Sequence, residues 1–214
     1  MDAPARWDPA SLRLIAITDS LHDGIEGLTS RALRAVAGGA TMIQLRLPDE
    51  APRTLAVVAR ALRSALPGGV PLLVNARADV ALAAGAEGVH VGVDDMSPSA
   101  LRRIVPREFI VGASVGGDSD IARAAEADYV GIGPVFGRQV TASAGAAIGL
   151  ARFSEIARRC GVPAVAIGGV SAENAGAVMA AGASGIAVIS ALLAAPDPTQ
   201  AARALRAAQD ASGS

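Results

Sequence analysis

The chain has 214 residues, 51% of them hydrophobic, which is enough for one sizeable core and slightly short for two ordinary domains. Lys and Arg number 19 against 20 for Asp and Glu, so no broad positive field favours nucleic acid or an anionic membrane. The only cysteine, Cys160, cannot form an internal disulfide. The first ten residues lack the continuous apolar run of a secretory signal, and no apolar run is long enough to span a membrane. We therefore expect one globular domain in a reducing cytoplasm.

Eight short apolar runs recur along the chain, with amphipathic stretches between them. Runs of Val, Ile and Leu without strict polar alternation are typical of parallel strands that are covered on both faces. Because strands and helices alternate, the sequence predicts a parallel sheet. In chain order the predicted strands are LRLIAIT from Leu12, TMIQLR from Thr41, VPLLVN from Val70, EGVHV from Glu87, FIVGAS from Phe109, DYVGIG from Asp128, VPAVAIG from Val162 and SGIAVIS from Ser184.

A short internal repeat precedes every second strand. The glycine in three of its four copies suits the left-handed residue that closes a helix. Four double units give eight strands, and about 25 residues per unit is near the minimum for a barrel. We therefore predict a single (β/α)8 TIM barrel over residues 11–209, in preference to an open doubly wound sheet, with loose tails at residues 1–10 and 210–214. The copies are AGGATMI at Ala37, AGAEGVH at Ala84, AEADYVG at Ala125 and AGASGIA at Ala181.

The turns after the seventh and eighth strands have the features of a phosphate site. Gly168 and Gly169 allow the backbone to approach an anion closely, and the turn at Ser190 can direct N–H groups and a hydroxyl at phosphate oxygens. Barrels often bind phosphate after these two strands. The alternative is that the glycines only form a tight turn and that Ser190 only caps a helix.

Polar side chains also follow the second, third and fourth strands. Gln44 and Asn75 could hydrogen-bond the edge of a heterocycle, Arg46 could pair with an anion, and Asp95, beside Asp94, could bind Mg²⁺ as a hard oxygen ligand. Since the strands are parallel, these residues are expected to share one rim. Solvated rim side chains, and an ion pair between Arg46 and a nearby carboxylate, are the alternatives.

Two further features bear on catalysis. His90 lies within the fourth strand, where it is either a buried histidine satisfied by a neighbour or a catalytic base. The segment GRQVTASAGAAI, from Gly137, is long for a βα loop and lies on the same face, so we interpret it as a mobile lid, with a merely floppy loop as the alternative.

Taken in order, seven segments resemble the thiamine phosphate synthase/TenI superfamily, whose members are (β/α)8 barrels. Together they cover roughly residues 12 to 195. The segments are AITD at Ala16, GGATMIQLR at Gly38, NARADVALAAGAEGVHVGVDD at Asn75, GASV at Gly112, ADYVGIGPVF at Ala127, VPAVAIGGV at Val162 and AGASGIAVISAL at Ala181.

The resemblance implies two adjoining substrate sites. The synthase joins a hydroxymethylpyrimidine diphosphate to a thiazole phosphate, losing diphosphate through a carbocation-like pyrimidine. The positions that match its pyrimidine diphosphate and Mg²⁺ site are Gln44, Arg46, Asn75, Asp95 and Ser114, and those that match its thiazole phosphate site are Gly169, Ile189 and Ser190.

The chain departs from the synthase pattern mainly on the diphosphate side. Pro48 stands where the synthase has Lys, and Ala76 where it has a metal-binding Asp, which puts the Mg²⁺ in question. In the predicted lid, Arg138, Val140 and Thr141 replace Thr, Thr and Lys. Each lost donor or metal contact can cost on the order of 3 kcal/mol in the transition state. Arg138 is assigned to substrate binding, because it could supply replacement charge.

Three hypotheses follow for a small phosphorylated substrate. The first is a TenI-like thiazole phosphate tautomerase with a degraded diphosphate site, in which His90 or Asp95 serves as the base and Arg46 assists, since Pro134 occupies the position of a TenI histidine. The second is a divergent thiamine phosphate synthase, and the third is a non-catalytic binder of thiazole phosphate or thiamine phosphate. The sequence leaves a homo-oligomer open.

Overall fold

The computed structural model describes residues 7–137 and 146–211. Within them, eight parallel strands form a closed barrel, each followed by a helix. The strands are β1 Leu14–Ile17, β2 Met42–Leu45, β3 Leu72–Asn75, β4 Gly88–Val91, β5 Ile110–Val115, β6 Tyr129–Ile132, β7 Ala164–Ile167 and β8 Gly185–Val188. The helices are α1 Gly24–Ala37, α2 Pro52–Ala65, α3 Ala78–Ala84, α4 Pro98–Leu101, α5 Asp118–Arg123, α6 Gly149–Cys160, α7 Ala175–Ala180 and α8 Pro198–Asp210.

The barrel closes because β1 pairs with both β2 and β8. Ile15 lies opposite Met42 on one side and Ala187 on the other. All eight predicted strands are found, with β5 extending one residue beyond its predicted segment, and the single (β/α)8 barrel is confirmed. None of the helices in the described part of the chain is both long and apolar enough to cross a bilayer.

The alternation of side chains along each strand divides the core into two layers. In β1, Leu14 and Ala16 belong to the layer between the sheet and the helices, whereas Ile15 and Ile17 belong to the barrel interior. Both layers are apolar, so the strands carry apolar residues at successive positions. This explains why the predicted strands read as uninterrupted apolar runs.

The turns of the internal repeat adopt the predicted left-handed conformation. Gly39, Gly85 and Gly182 have φ values of +115°, +70° and +96°. In the copy that lacks the turn glycine, Glu126 takes φ +70° at the equivalent position, a conformation that strains a residue with a Cβ atom. The repeat is therefore a repeated turn that leads from a helix into the next strand.

The N-terminal segment is more ordered than the sequence suggested. A 3₁₀ helix at Pro9–Leu12 is capped by the Asp8 carboxylate, and Trp7 packs against the interior cluster, its ring centroid 6.3 Å from that of Tyr129. The prediction of a loose tail is therefore wrong for residues 7–10, because the 3₁₀ helix orders the backbone and Trp7 packs against the apolar residues of the barrel interior. At the other end α8 extends to Asp210; residues 1–6 and 212–214 lie outside the described residues.

Candidate active site

A cavity of about 880 Å³ opens at the carboxyl ends of the strands. This size is typical of small-molecule sites in proteins. All the predicted site residues within the described ranges line it, whereas the predicted lid residues Arg138, Val140 and Thr141 lie outside those ranges. The predicted residues at the cavity are Gln44, Arg46, Asn75, His90, Asp94, Asp95, Ser114, Gly168, Gly169, Ile189 and Ser190.

The glycine pair after β7 forms a turn that requires glycine. Gly168 and Gly169 have φ values of +89° and +70°. A Cβ atom on Gly169 would lie 2.4 Å from the carbonyl oxygen of Phe136, and one on Gly168 would lie 2.6 Å from the Cα atom of Pro134. Positive φ disfavours a residue with a Cβ atom, and the close backbone contacts leave no room for one. The contacts with Pro134 and Phe136 therefore restrict this turn more than its positive φ values alone would.

The side chain of Asn174 holds this turn in place. Its Nδ2 donates to the carbonyl oxygen of Gly169 (2.9 Å), and its Oδ1 accepts from the N–H of Ser171 (2.9 Å). Among the described residues, none accepts a hydrogen bond from the N–H groups of Gly169 and Ser190. Unpaired N–H groups on a glycine turn are suited to an anion.

Amide and guanidinium groups line the cavity near the ends of β2 and β3. The Nε2 atom of Gln44 donates to Oδ1 of Asn75 (3.0 Å), so the pair still has an amide oxygen and amide hydrogens for a ligand. The buried Thr18 hydroxyl bridges the backbone of Arg46, accepting from its N–H (2.8 Å) and donating to its carbonyl oxygen (3.0 Å). Within residues 7–137 and 146–211 no carboxylate pairs with Arg46, so its charge is available to an anion.

Carboxylates outnumber cations in the described wall of the cavity. Asp94, Asp95, Asp120 and Glu173 line it, against Arg46 alone. Asp95 is half-buried, its Oδ2 accepts from the N–H of Gly92 (2.7 Å), and its other oxygen makes no hydrogen bond to the described residues. This wall is suited to a cation or to a ligand that becomes cationic.

The described residues contain no group of three or more His, Cys, Asp or Glu side chains that could hold a metal. Magnesium is nevertheless often bound by one or two carboxylates together with substrate phosphates. The free oxygen of Asp95 is consistent with such a site, and Ala76, which follows β3, adds no ligand. The residues present therefore fit Mg²⁺ with Asp95 as a protein ligand and a phosphorylated substrate completing the shell.

His90 is buried in the barrel, and both of its ring nitrogens are engaged. Nδ1 lies 3.0 Å from the Tyr129 hydroxyl, and Nε2 lies 3.0 Å from the Ser114 hydroxyl. Burial lowers the pKa of His90 to about 4, against a smaller opposing effect of Asp95. A base with so low a pKa accepts a proton poorly near neutral pH. The geometry favours the alternative of a buried histidine satisfied by its neighbours, so a base role for His90 stays only a prediction.

The buried imidazole predicts a pH-dependent stability. In the unfolded chain His90 binds a proton below its ordinary pKa of 6.5, whereas the folded protein keeps it neutral down to about 4. This contribution is complete above pH 6.5 and is lost as the pH falls. Lowering the pH from about 8 to about 5 should reduce the free energy of unfolding by about 2 kcal/mol.

Urea unfolding at several pH values, on the wild type and on His90→Gln, measures this effect. The variant should lose less stability than the wild type over the same pH range, by about the amount given above. Equal losses in the two proteins would show that His90 is not the group responsible.

A sequence profile described as Thiamine monophosphate synthase matches residues 14–192 of this chain. The chain belongs to the thiamine monophosphate synthase family. The match includes every strand of the barrel and the cavity residues named above from Gln44 to Ser190.

Relatives within the family resemble the chain over nearly its whole length. A thiamine-phosphate synthase of Azorhizobium caulinodans is 47% identical over 201 residues, which are 92% of this chain and 95% of that protein. One of Xanthobacter autotrophicus is 44% identical over 94% of this chain and 96% of its own. A solved structure, thiamine phosphate pyrophosphorylase from Pyrococcus furiosus, superposes with a TM-score of 0.83 at 35% identity, covering 95% of this chain and 98% of its own.

Several residues that hold the cavity residues in place were not identified in the sequence analysis. Asn174 lies three residues after Ser171, a spacing at which an Asn side chain can bond the backbone, so its role could have been recognised. Tyr129 and Thr18 lie within or next to apolar runs and read as core positions. Their hydrogen bonds join different strands, which no local pattern predicts.

Proposed function

We propose that this chain catalyses the reaction of a thiamine-phosphate synthase, joining a hydroxymethylpyrimidine diphosphate to a thiazole phosphate. The observation that carries the proposal is one cavity with two chemically different walls. A glycine turn, in which the N–H of Gly169 makes no hydrogen bond to the described residues, lines one part, and an amide pair with Arg46, which pairs with no described carboxylate, lines another. Two small anionic substrates could thus be held side by side. The names of the relatives, at 47% and 44% identity, support the same reaction.

In this reaction the bond between the exocyclic carbon of the pyrimidine and the diphosphate oxygen breaks, and the diphosphate leaves with the electron pair. The lone pair of the thiazole nitrogen then forms the new carbon–nitrogen bond. The carboxylates of the cavity wall would favour the cationic pyrimidine. Arg46 would bind the departing diphosphate, and the Gly169 turn would hold the thiazole phosphate.

Mg²⁺ would be held by Asp95 and, when bound, would supply charge neutralisation for the diphosphate. Gln44 and Asn75 would orient the pyrimidine edge so that its reactive carbon faces the thiazole. Among the described lining residues, Arg46 is the only permanent cation, so the predicted role of Arg138 in binding the diphosphate stays a prediction.

A second candidate is a TenI-like isomerase that moves a proton within thiazole phosphate. Ala76 and Pro48 favour it, because they remove two groups that the synthases use on the diphosphate. It needs a base, and the low pKa of His90 and its two engaged ring nitrogens weaken that part of the hypothesis. Asp95 remains the other predicted base. We therefore place the isomerase second.

One experiment separates these functions. Purified protein is given both substrates with Mg²⁺, and diphosphate release is followed; thiazole phosphate alone is followed for exchange of ring protons with deuterated water. The proposal expects Mg²⁺-dependent diphosphate release that Arg46→Gln slows by about tenfold or more. Arg53→Gln, which changes an exposed arginine of α2 outside the cavity, should leave the rate unchanged.

The alternatives give different results. Proton exchange without diphosphate release would replace the synthase by the isomerase. Binding of thiazole phosphate with neither reaction would indicate the non-catalytic binder. A cytoplasmic location and assembly into a homo-oligomer stay predictions.

A further inference from the structure

We propose that Tyr129, acting through His90, fixes the Ser114 hydroxyl as a hydrogen-bond donor directed at the ligand. Tyr129 and His90 are positioning residues in this arrangement, and Ser114 is the group that touches the ligand. The identity of the ligand rests on the proposed function, whereas the direction of the hydrogen bonds does not.

The barrel register places the three groups in a row across adjacent strands. His90 on β4 lies opposite Gly112 on β5, and Gly112 lies opposite Tyr129 on β6. Two residues further along β5, Ser114 lies at the cavity wall. The chain of contacts therefore runs from the barrel interior to the cavity.

Two glycines make a slot for the imidazole. A Cβ atom on Gly112 would lie 2.4 Å from the Tyr129 ring and 2.6 Å from Nδ1 of His90, and one on Gly131 would lie 3.1 Å from Cε1 of His90. Glycine within a strand weakens it and usually marks a close approach. The strands β5 and β6 are thus shaped around this imidazole and phenol.

The direction of the hydrogen bonds follows from counting protons. Neutral His90 carries one ring proton, and the buried Tyr129 hydroxyl has His90 as its hydrogen-bond partner among the described residues. If the proton were on Nδ1, it would point at the Tyr129 oxygen, and the phenol proton would be left buried without an acceptor, which is costly. With the proton on Nε2, Tyr129 donates to Nδ1 and Nε2 donates to Ser114.

In the second arrangement every proton of the chain has an acceptor except that of Ser114. Its oxygen already accepts from His90, so its own hydrogen is free to point into the cavity. The ligand must then offer an acceptor there, such as a ring nitrogen of a heterocycle. A ligand with a C–H group in that place would leave the hydroxyl unpaired and would be rejected.

The tautomer can be read directly, without a ligand. The sequence has two histidines, His22 and His90, so a nitrogen NMR spectrum of the labelled protein shows two imidazoles, and His22→Gln assigns them. We expect His90 to carry its proton on Nε2 in the wild type. In Tyr129→Phe, which removes the donor to Nδ1, the Nδ1-protonated form should become populated. A wild type protonated on Nδ1 would overturn the proposal.

A double-mutant cycle tests the link to the ligand. The affinity of hydroxymethylpyrimidine diphosphate is measured for wild type, Tyr129→Phe, Ser114→Ala and the double variant. Each single change should weaken binding about tenfold, and the double variant should bind as Ser114→Ala does, because Tyr129 acts only through Ser114. Additive losses would mean that Tyr129 contributes packing alone and would contradict the proposal.

A second variant distinguishes a loss of folding from a loss of ligand binding. If Tyr129→Phe does not fold, Gly131→Ala serves instead, since its Cβ atom would lie 3.1 Å from Cε1 of His90 and would push the imidazole by a few tenths of an ångström, which strains its bond to Ser114 while Tyr129 is kept. Its loss of affinity should likewise vanish in the Ser114→Ala background, and a loss that persists there would count against the proposal. If the wild type does not bind the pyrimidine diphosphate, the proposed function fails, and the NMR result still decides the direction of the hydrogen bonds.

Discussion

Replacing Gly169 by alanine is expected to weaken the binding of thiazole phosphate by at least about a hundredfold. The new Cβ atom would lie 2.4 Å from the carbonyl oxygen of Phe136 and 2.8 Å from its Cβ atom, so the turn would have to move. The N–H group that we assign to the phosphate would move with it. Because an anion is held by several such groups at once, a small displacement weakens all of them. Calorimetric titration with thiazole phosphate measures the loss.

Gly161→Ala is a matched control for this variant. Gly161 has φ +68°, close to the +70° of Gly169, but a Cβ atom there would meet nothing within 4 Å. Both variants carry the strain of a left-handed alanine, roughly 1–2 kcal/mol, and only Gly169→Ala adds the collision. Gly161→Ala should therefore lose stability in urea and keep its affinity. Wild-type affinity in Gly169→Ala would remove this turn from the phosphate site.

Replacing Ala76 by aspartate is expected to raise Mg²⁺-dependent diphosphate release by on the order of tenfold to a hundredfold. Ala76 follows directly after Asn75 at the end of β3 and has φ +62°, which is unfavourable for alanine and better tolerated by Asp and Asn. The substitution would add a carboxylate beside Asn75, which lines the cavity, at the position where the resemblance to the superfamily implies a metal-binding Asp. Steady-state rates over a Mg²⁺ titration are the measurement.

Ala76→Asn separates the carboxylate from the backbone effect. Asparagine relieves the same left-handed strain without adding charge, so it should raise stability and leave the Mg²⁺ dependence as in the wild type. If Ala76→Asn raised the rate as much as Ala76→Asp, the gain would come from the backbone. If Ala76→Asp left the rate unchanged, the metal would not be held at this end of β3.

The barrel could be predicted because its strands are buried on both faces. A segment such as SGIAVIS, from Ser184, contributes side chains both to the barrel interior and to the layer between sheet and helices, so its apolar residues are continuous. The strand at Gly185–Val188 can therefore be predicted from sequence. The glycine pair at residues 168 and 169 could also be predicted as a special turn, because backbone with positive φ values favours glycine strongly enough to leave a mark in the sequence.

The contacts between residues on different strands that complete the site could not be predicted from the sequence. Tyr129 and His90 are 39 residues apart and lie on strands separated by β5. Within DYVGIG, Tyr129 reads simply as a core residue. The order of residues 7–10 was also missed, because the surface that covers Trp7 is formed only when the barrel closes. Pairings of this kind depend on the closed sheet and leave no local pattern.

The position of Trp7 gives the protein a built-in optical reporter. It is the only tryptophan in the sequence and packs near the only tyrosine, at the end of the barrel where the strands begin. Its indole emission should therefore change when the barrel interior opens to water. Fluorescence can thus follow denaturation while calorimetry follows substrate.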